Sequence, residues 1–171
     1  MRMRSFLILA LSGILAVVMQ TTPIGRLGIL PAAPNLILVL VVYLGLRMPT
    51  PAGALGAFLL GYLLDTFSGS VPGLHCFTMT LVFAMVYLVS GRLWMQNPVT
   101  SLAIMVLACL LEIFTLASYF AWTGVLGASA SGLLGKLTTP ALLALLVSPL
   151  LFTLLDAYVP LIRRKKVHAA D

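Results

Sequence analysis

The sequence predicts an all-α integral membrane protein with six transmembrane helices, and three observations lead to that prediction. Hydrophobic residues make up 61% of the 171-residue chain, charged residues only 8%, and the mean hydropathy is +1.15. An ordinary soluble domain carries about 25% charged residues, so this chain has too few to surround a core with a polar surface. The apolar residues also fall into six runs, separated by short polar or Gly- and Pro-containing segments. Because one span needs about 20 residues, six spans leave little chain for a domain outside the membrane.

The six predicted spans form a single membrane domain over residues 1–171. The first run follows two arginines and has no small-residue cleavage site, so we expect an uncleaved helix rather than a signal peptide. The small-residue segment 124–135 is expected to be a loop. Pro149 falls inside the sixth run, where a proline is expected to kink the helix. The approximate spans are 6–22, 34–46, 52–67, 74–91, 98–123 and 137–162.

The basic residues set the expected orientation. Only Arg26 and Lys136 fall on the side opposite the termini. Because cytoplasmic loops carry an excess of Lys and Arg, both termini are expected to be cytoplasmic, in the bacterial inner membrane. The net charge of +6 then reflects topology signals and contacts with anionic lipids, and not nucleic-acid binding. The eight basic residues on the side of the termini are Arg2, Arg4, Arg47, Arg92, Arg163, Arg164, Lys165 and Lys166.

The stretch 53–75 is the part around which the rest of the chain is expected to be organised. Gly53, Ala57 and Gly61 are four residues apart, which gives a helix a flat face for close packing against a neighbouring backbone in a bilayer. Asp65 follows on nearly the same face, because each four-residue step drifts by only about 40°.

Asp65 and the turn after it are interpreted together. Ser68, Gly69 and Gly73 belong to the segment FSGSVPG, in which glycine supplies positive φ without steric strain. Asp65 is expected near the outer end of its helix, where a structural role would have it accept hydrogen bonds from turn amides, hydroxyls or His75. A contact with a partner or ligand is the second possibility, and proton or ion chemistry is the third. His75 has no second histidine at a ligand spacing, so no metal site is expected.

Two further acids lie in apolar runs. Glu112 falls close to the middle of the fifth run, where a charge must face other helices, pair or be protonated. We expect a neutral or hydrogen-bonded Glu112, either inside the bundle or at a contact with another membrane protein. Asp156 precedes the basic tail and is expected in the inner interface, near Arg163 or Arg92.

The sequence offers little for catalysis. Cys76 and Cys109 stand alone in apolar runs and are expected to be buried hydrophobic residues rather than disulfide partners. No nucleophile–base pair, zinc signature or phosphate-binding loop is present in the sequence. We therefore expect a protein that is not an enzyme and that uses no cofactor or metal.

The pattern of polar residues and glycines resembles that of a known family. A Pro-Asn pair opens a helix, and the run GAFLLGYLLD and the turn FSGSVPGLH follow it. This arrangement is similar to the bacterial rod shape-determining family MreD, whose pattern is PN followed by G(F)xxGxxxD(x)xSGxxxG. Glu112 and Ile113 also match an acid followed by an apolar residue in the fifth helix of that family. The positions that match the pattern are Pro34, Asn35, Gly56 or Ala57, Phe58, Gly61, Asp65, Ser68, Gly69 and Gly73.

The resemblance implies a non-enzymatic inner-membrane component of the cell-elongation machinery, which synthesises peptidoglycan and maintains rod shape. Such proteins bind MreC, a single-pass protein with a periplasmic coiled coil. Through MreC they communicate with the actin-like filament MreB and the peptidoglycan synthases. The resemblance also implies a compact six-helix bundle like the substrate-binding subunit of energy-coupling-factor vitamin transporters.

Two other functions remain open at this point. A vitamin-binding transporter subunit would expose polar and aromatic residues to an outer pocket, but the outer loops are poor in both. Trp122 is the one candidate pocket residue, and its position also fits an aromatic belt at the membrane interface. An intramembrane enzyme is the third possibility, and the missing catalytic constellation argues against it. The candidate structural or partner-contact residues are Pro34, Asn35, Gly53, Ala57, Gly61, Asp65, Ser68, Gly69, Gly73, His75 and Glu112.

Overall fold

A computed structural model of the chain describes residues 34–68, 71–90, 98–124 and 130–158, together with residues 13, 15 and 16. The described residues are helical or lie in connections, with no strand among them, which confirms the predicted all-α class. We number the continuous helices in chain order as α1 (Leu36–Arg47), α2 (Pro51–Ser68), α3 (Leu74–Ser90), α4 (Pro98–Trp122) and α5 (Ala130–Tyr158).

The observed helices follow the predicted spans, with one difference. Helices α1 to α4 begin and end within a few residues of the expected positions. Helix α5 begins at Ala130 rather than at residue 137, so the expected loop 124–135 is helical over its second half. Ala130, Leu133 and Leu134 are good helix formers, which favours helix even in a segment with two glycines. Most of span 6–22 and residues 159–162 lie outside the described residues.

Helix α1 is the centre of the bundle. Every residue from 37 to 43 is at most 2% exposed, and α1 contacts each of the helices α2 to α5. A helix that is hydrophobic on all sides is expected to be surrounded by protein. Its 12 residues extend over about 18 Å, which is well short of a hydrocarbon core of about 30 Å. Helix α1 is therefore too short to cross such a core by itself.

Helices α4 and α5 have the strongest membrane character. Val99–Trp122 and Thr138–Ala157 are long and apolar enough to cross a membrane, whereas α1, α2 and α3 contain shorter apolar helices. Large apolar side chains are exposed along both helices, including Phe114 at 71% and Leu146 at 74%. Exposed apolar surface of this extent is unusual on a soluble monomer and fits a surface that contacts lipid.

Helices α2 and α3 pack closely through the small residues predicted for that purpose. A Cβ atom added to Gly61 would lie 2.6 Å from Cys76 Cα and 2.8 Å from the His75 carbonyl oxygen. A Cβ atom on Gly53 would meet the Met48 carbonyl oxygen and would lie 3.1 Å from the ring of Phe83, and Ala57 is completely buried. The small face of α2 is therefore an internal contact with α3. It is not a surface open to a second protein.

Candidate functional site

Asp65 holds the start of helix α3. Its Oδ2 accepts hydrogen bonds from the backbone N–H groups of Gly73 (2.9 Å) and Cys76 (3.0 Å). Its Oδ1 accepts from the backbone N–H of His75 (3.0 Å) and lies 3.0 Å from the imidazole Nδ1 of the same residue. The carboxylate is only 4% exposed. We call Asp65 with these three partners the Asp65 clamp.

The clamp satisfies a requirement that every helix start creates. The first N–H groups of a helix have no partner within the helix, and a buried N–H without a partner is costly. In α3, Asp65 supplies acceptors for Gly73, His75 and Cys76, while the Leu74 N–H donates to the Val71 carbonyl at 3.2 Å. A carboxylate is also favoured at a helix N-terminus by the helix dipole. Asp65 thus does from α2 what a capping residue usually does from the chain immediately before the helix.

Two glycines make the clamp geometrically possible. Gly61 lies one helical turn before Asp65, and its missing side chain lets α2 approach the backbone of α3 at His75 and Cys76. Gly73 has φ of +89°, a backbone conformation that L side chains rarely adopt, and it turns the chain directly into α3. The close approach and the turn together bring three backbone N–H groups to one carboxylate.

A second junction joins the start of α1 to α4 and α5. The Asn35 side chain caps α1, because its Oδ1 accepts from the Leu38 N–H at 3.1 Å. Its Nδ2 donates a short hydrogen bond to Oε1 of Glu112, which is 5% exposed. The Asn35 backbone N–H donates to the Pro140 carbonyl of α5 at 3.3 Å. Glu112 therefore lies inside the bundle and is hydrogen-bonded, and we call this group the Asn35 junction.

A third polar contact closes the opposite end of α1. Asp156 of α5 accepts a hydrogen bond from the Tyr43 hydroxyl at 3.0 Å and forms an ion pair with Arg47. The side chains of Arg47 and Asp156 are 34% and 27% exposed, so the pair lies at the edge of the bundle. The sequence placed Asp156 near Arg163 or Arg92, but among the described residues its basic partner is Arg47.

The predicted site residues fall into two separate groups. Gly61, Asp65, Gly73 and His75 meet in the Asp65 clamp, with Gly53 and Ala57 further along the same α2–α3 contact. Pro34, Asn35 and Glu112 belong to the Asn35 junction, where the Pro34 carbonyl accepts from the Leu36 N–H. Gly69 and the side chain of Ser68 lie outside the described residues.

Sequence reasoning missed Tyr43, Arg47 and Pro140 as members of these junctions. Arg47 and Asp156 carry opposite charges and lie at helix ends predicted to share the cytoplasmic side. This arrangement could have indicated that the two residues pair. The partner itself could not be chosen, because the two residues are 109 positions apart and Asp156 had other basic residues nearer in sequence. Tyr43 and Pro140 carry no polar signature that distinguishes them from other residues of their apolar runs.

The arrangement is suited to holding helices together. No group of three or more His, Cys, Asp or Glu residues that could hold a metal ion occurs in the described part of the chain. Cys76 and Cys109 are both buried and free, as predicted. The carboxyl groups of Asp65, Glu112 and Asp156 each bond to a second helix or to the residue that begins it.

The fold and its junctions define a class: an all-α bundle in which polar side chains join helices and many large apolar side chains are exposed, as in membrane proteins. The family model described as rod shape-determining protein MreD matches residues 1–158. The chain belongs to the MreD family, as its Pro, Asn, Asp and Gly pattern predicted, and it is therefore a membrane component of rod-shape determination. No curated protein and no solved structure matches it, so the likeness to a vitamin-transporter subunit stays a prediction.

Proposed function

We propose that this protein is a non-enzymatic, multi-pass component of the bacterial inner membrane that binds MreC and helps the elongation machinery maintain cell shape. The observation that carries the proposal is the family match over residues 1–158. MreB and the peptidoglycan synthases are indirect partners in this proposal, and membrane lipids are the surrounding solvent. No cofactor is required.

The polar contacts support a scaffold rather than a reaction centre. Asp65, Glu112 and Asp156 are acids in or near apolar segments, where an acid is expensive unless it is paired or hydrogen-bonded. Each of them bonds across helices: Asp65 to α3, Glu112 to Asn35 and Asp156 to α1. A bundle joined at three points can present a fixed surface to a partner helix with little loss of conformational entropy on binding.

The proposal includes six spans with both termini in the cytoplasm. The ends of α1 and α5 that meet at the Arg47–Asp156 ion pair then face the cytoplasm, and the Asp65 clamp faces the outside. The eight-to-two distribution of basic residues supports this orientation.

Copurification tests the proposed partner. A tagged copy of the full chain, extracted from native membranes in mild detergent, is expected to carry MreC, identified by mass spectrometry of the eluate. An unrelated tagged membrane protein of similar size, expressed at the same level, is the control. Recovery of MreC at the level of that control, from membranes in which the tagged protein is folded and abundant, would contradict the partner assignment.

A further inference from the structure

Pro149 interrupts the hydrogen-bond ladder of α5. Proline has no N–H, so the Leu145 carbonyl loses its partner within the helix. The Ser148 hydroxyl donates to that carbonyl at 2.8 Å, and the Thr153 hydroxyl donates back to the carbonyls of Pro149 (3.1 Å) and Leu150 (2.8 Å). Back-bonding by Ser and Thr commonly bends helices. This stretch of α5 is therefore a point of weakness at which the helix can bend.

Helix α1 is attached to α5 on both sides of this point. Before it, the Asn35 N–H donates to the Pro140 carbonyl at 3.3 Å. After it, Asp156 accepts from the Tyr43 hydroxyl and pairs with Arg47. Helix α1 contains no proline and is buried along its length. It therefore forms a well-packed element without a proline break, in contact with α5.

The part of α5 after Pro149 is less buried than the part before it, where Ala141, Ala144 and Ser148 are buried. Leu151 and Phe152 pack partly buried against the core and Leu155 is buried, while Leu150 and Leu154 are 62% and 49% exposed. The ring of Phe152 lies 5.9 Å from that of Tyr43. Segments with few buried contacts open at lower free energy than the core of a protein. The contacts of Asp156 with Tyr43 and Arg47 add polar contacts to this packing and hold the end of the segment against α1.

We propose that α5 has a hinge at Pro149 and that α1, attached to α5 on both sides of Pro149, bridges this hinge. The contacts of Asp156 with Tyr43 and Arg47, which we call the latch, hold residues 150–158 against α1. With the latch closed, the end of α5 lies against α1. With it open, residues 150–158 move about Pro149, while the earlier part of α5 stays attached at Asn35. This device gives the bundle a movable element at the end where Arg47 lies, and it is independent of the MreC assignment.

Hydrogen exchange measured by mass spectrometry on the full chain in lipid nanodiscs tests the proposal. Asp156→Asn is expected to accelerate exchange of residues 150–158 about fivefold, since it removes a charge-assisted hydrogen bond at a partly exposed position. Residues 138–145 are expected to exchange at the wild-type rate. Tyr43→Phe, which removes only the hydroxyl, is expected to give a smaller acceleration in the same segment and serves if Asp156→Asn does not fold.

The Pro149→Ala background separates a hinge from general loosening. Alanine restores the N–H and stiffens the helix, so the effect of Asp156→Asn on residues 150–158 is expected to fall below about twofold in that background. Three results would overturn the proposal: equal acceleration in the parent chain and in the Pro149→Ala background, acceleration spread over all of α5, or no acceleration with either latch variant.

Discussion

Asp65 shows how one side chain can replace a local helix cap. Both carboxylate oxygens are used, Oδ2 by Gly73 and Cys76, and Oδ1 by His75. A local cap usually supplies one acceptor to the N–H two or three residues later. The remote carboxylate therefore does more, since it satisfies several backbone groups and ties α2 to α3 in the same contact.

Replacing Asp65 tests this use of both oxygens. Asparagine has one acceptor oxygen and an NH₂ group that would face backbone N–H donors, so Asp65→Asn is expected to cost about 1–3 kcal/mol of unfolding free energy. Asp65→Leu removes both acceptor oxygens and is expected to lower the unfolding free energy further. Thermal unfolding in detergent measures both, with Thr66→Ser as the matched control one residue away. Wild-type stability of Asp65→Leu would show that the clamp contributes nothing.

The Asn35–Glu112 contact can be tested by mutations that move the carboxyl group from position 112 to position 35. Asn35→Asp places two carboxyl groups against each other in a buried site and is expected to lower the unfolding temperature. Adding Glu112→Gln restores a donor–acceptor pair, with the amide now at position 112 and the carboxylate at position 35. The double variant is therefore expected to recover much of the lost unfolding temperature. Glu112→Gln alone keeps an acceptor for Asn35 and is expected to be milder than Asn35→Asp. Additive losses in the double variant would contradict the direct contact.

At the scale of elements, the α2–α3 pair depends on close approach rather than on large apolar side chains. A side chain on Gly61 would meet backbone atoms of α3, which cannot move aside without displacing the helix. A side chain on Gly56, in the same helix, would meet the Leu44 Cδ1 atom at 3.4 Å, an ordinary contact with a flexible group. The two glycines are therefore a matched pair for mutation.

Alanine is expected to destabilise the protein at position 61 but not at position 56. Gly61→Ala is expected to destabilise the protein by about 1–3 kcal/mol, the usual cost of overpacking. Gly56→Ala is expected to be neutral or stabilising, because alanine favours helix over glycine. Unfolding followed by circular dichroism in detergent distinguishes them. Equal stability of the two variants would mean that α2 and α3 are not held at the distance described.

The helices were largely predictable from sequence, and their polar contacts only in part. Apolar runs bounded by Pro, Gly and Arg predicted α1 to α4, because Pro and Gly end helices for local backbone reasons and a charged Arg ends an apolar run. The start of α5 was not predicted, since 130–135 is rich in small residues that suit a loop as well as a packed helix. The Asn35–Glu112 bond joins residues 77 positions apart, and such pairings depend on the packing of whole helices.

At the scale of the whole molecule, the proposed topology can be tested by labelling single cysteines in intact cells. Ser70→Cys and Ser129→Cys are expected to react with an impermeant maleimide from outside. Thr50→Cys and Lys166→Cys are expected to react only after the membrane is opened. Cys76 and Cys109 are buried, so the parent protein is expected to give a low background. Reaction at position 50 from outside would contradict six spans with cytoplasmic termini.

We propose that this MreD-family protein acts in rod-shape determination as a scaffold, and depletion in its rod-shaped host is the most direct test. Cell width and length are measured by microscopy after depletion, together with the amount of lipid-linked wall precursor. Cells are expected to become round while precursor synthesis continues, and the wild-type chain is expected to restore rods. Asp65→Leu is expected not to restore rods. Cells that remain rod-shaped after depletion, particularly if they lose uptake of a vitamin, would contradict a role in rod-shape determination.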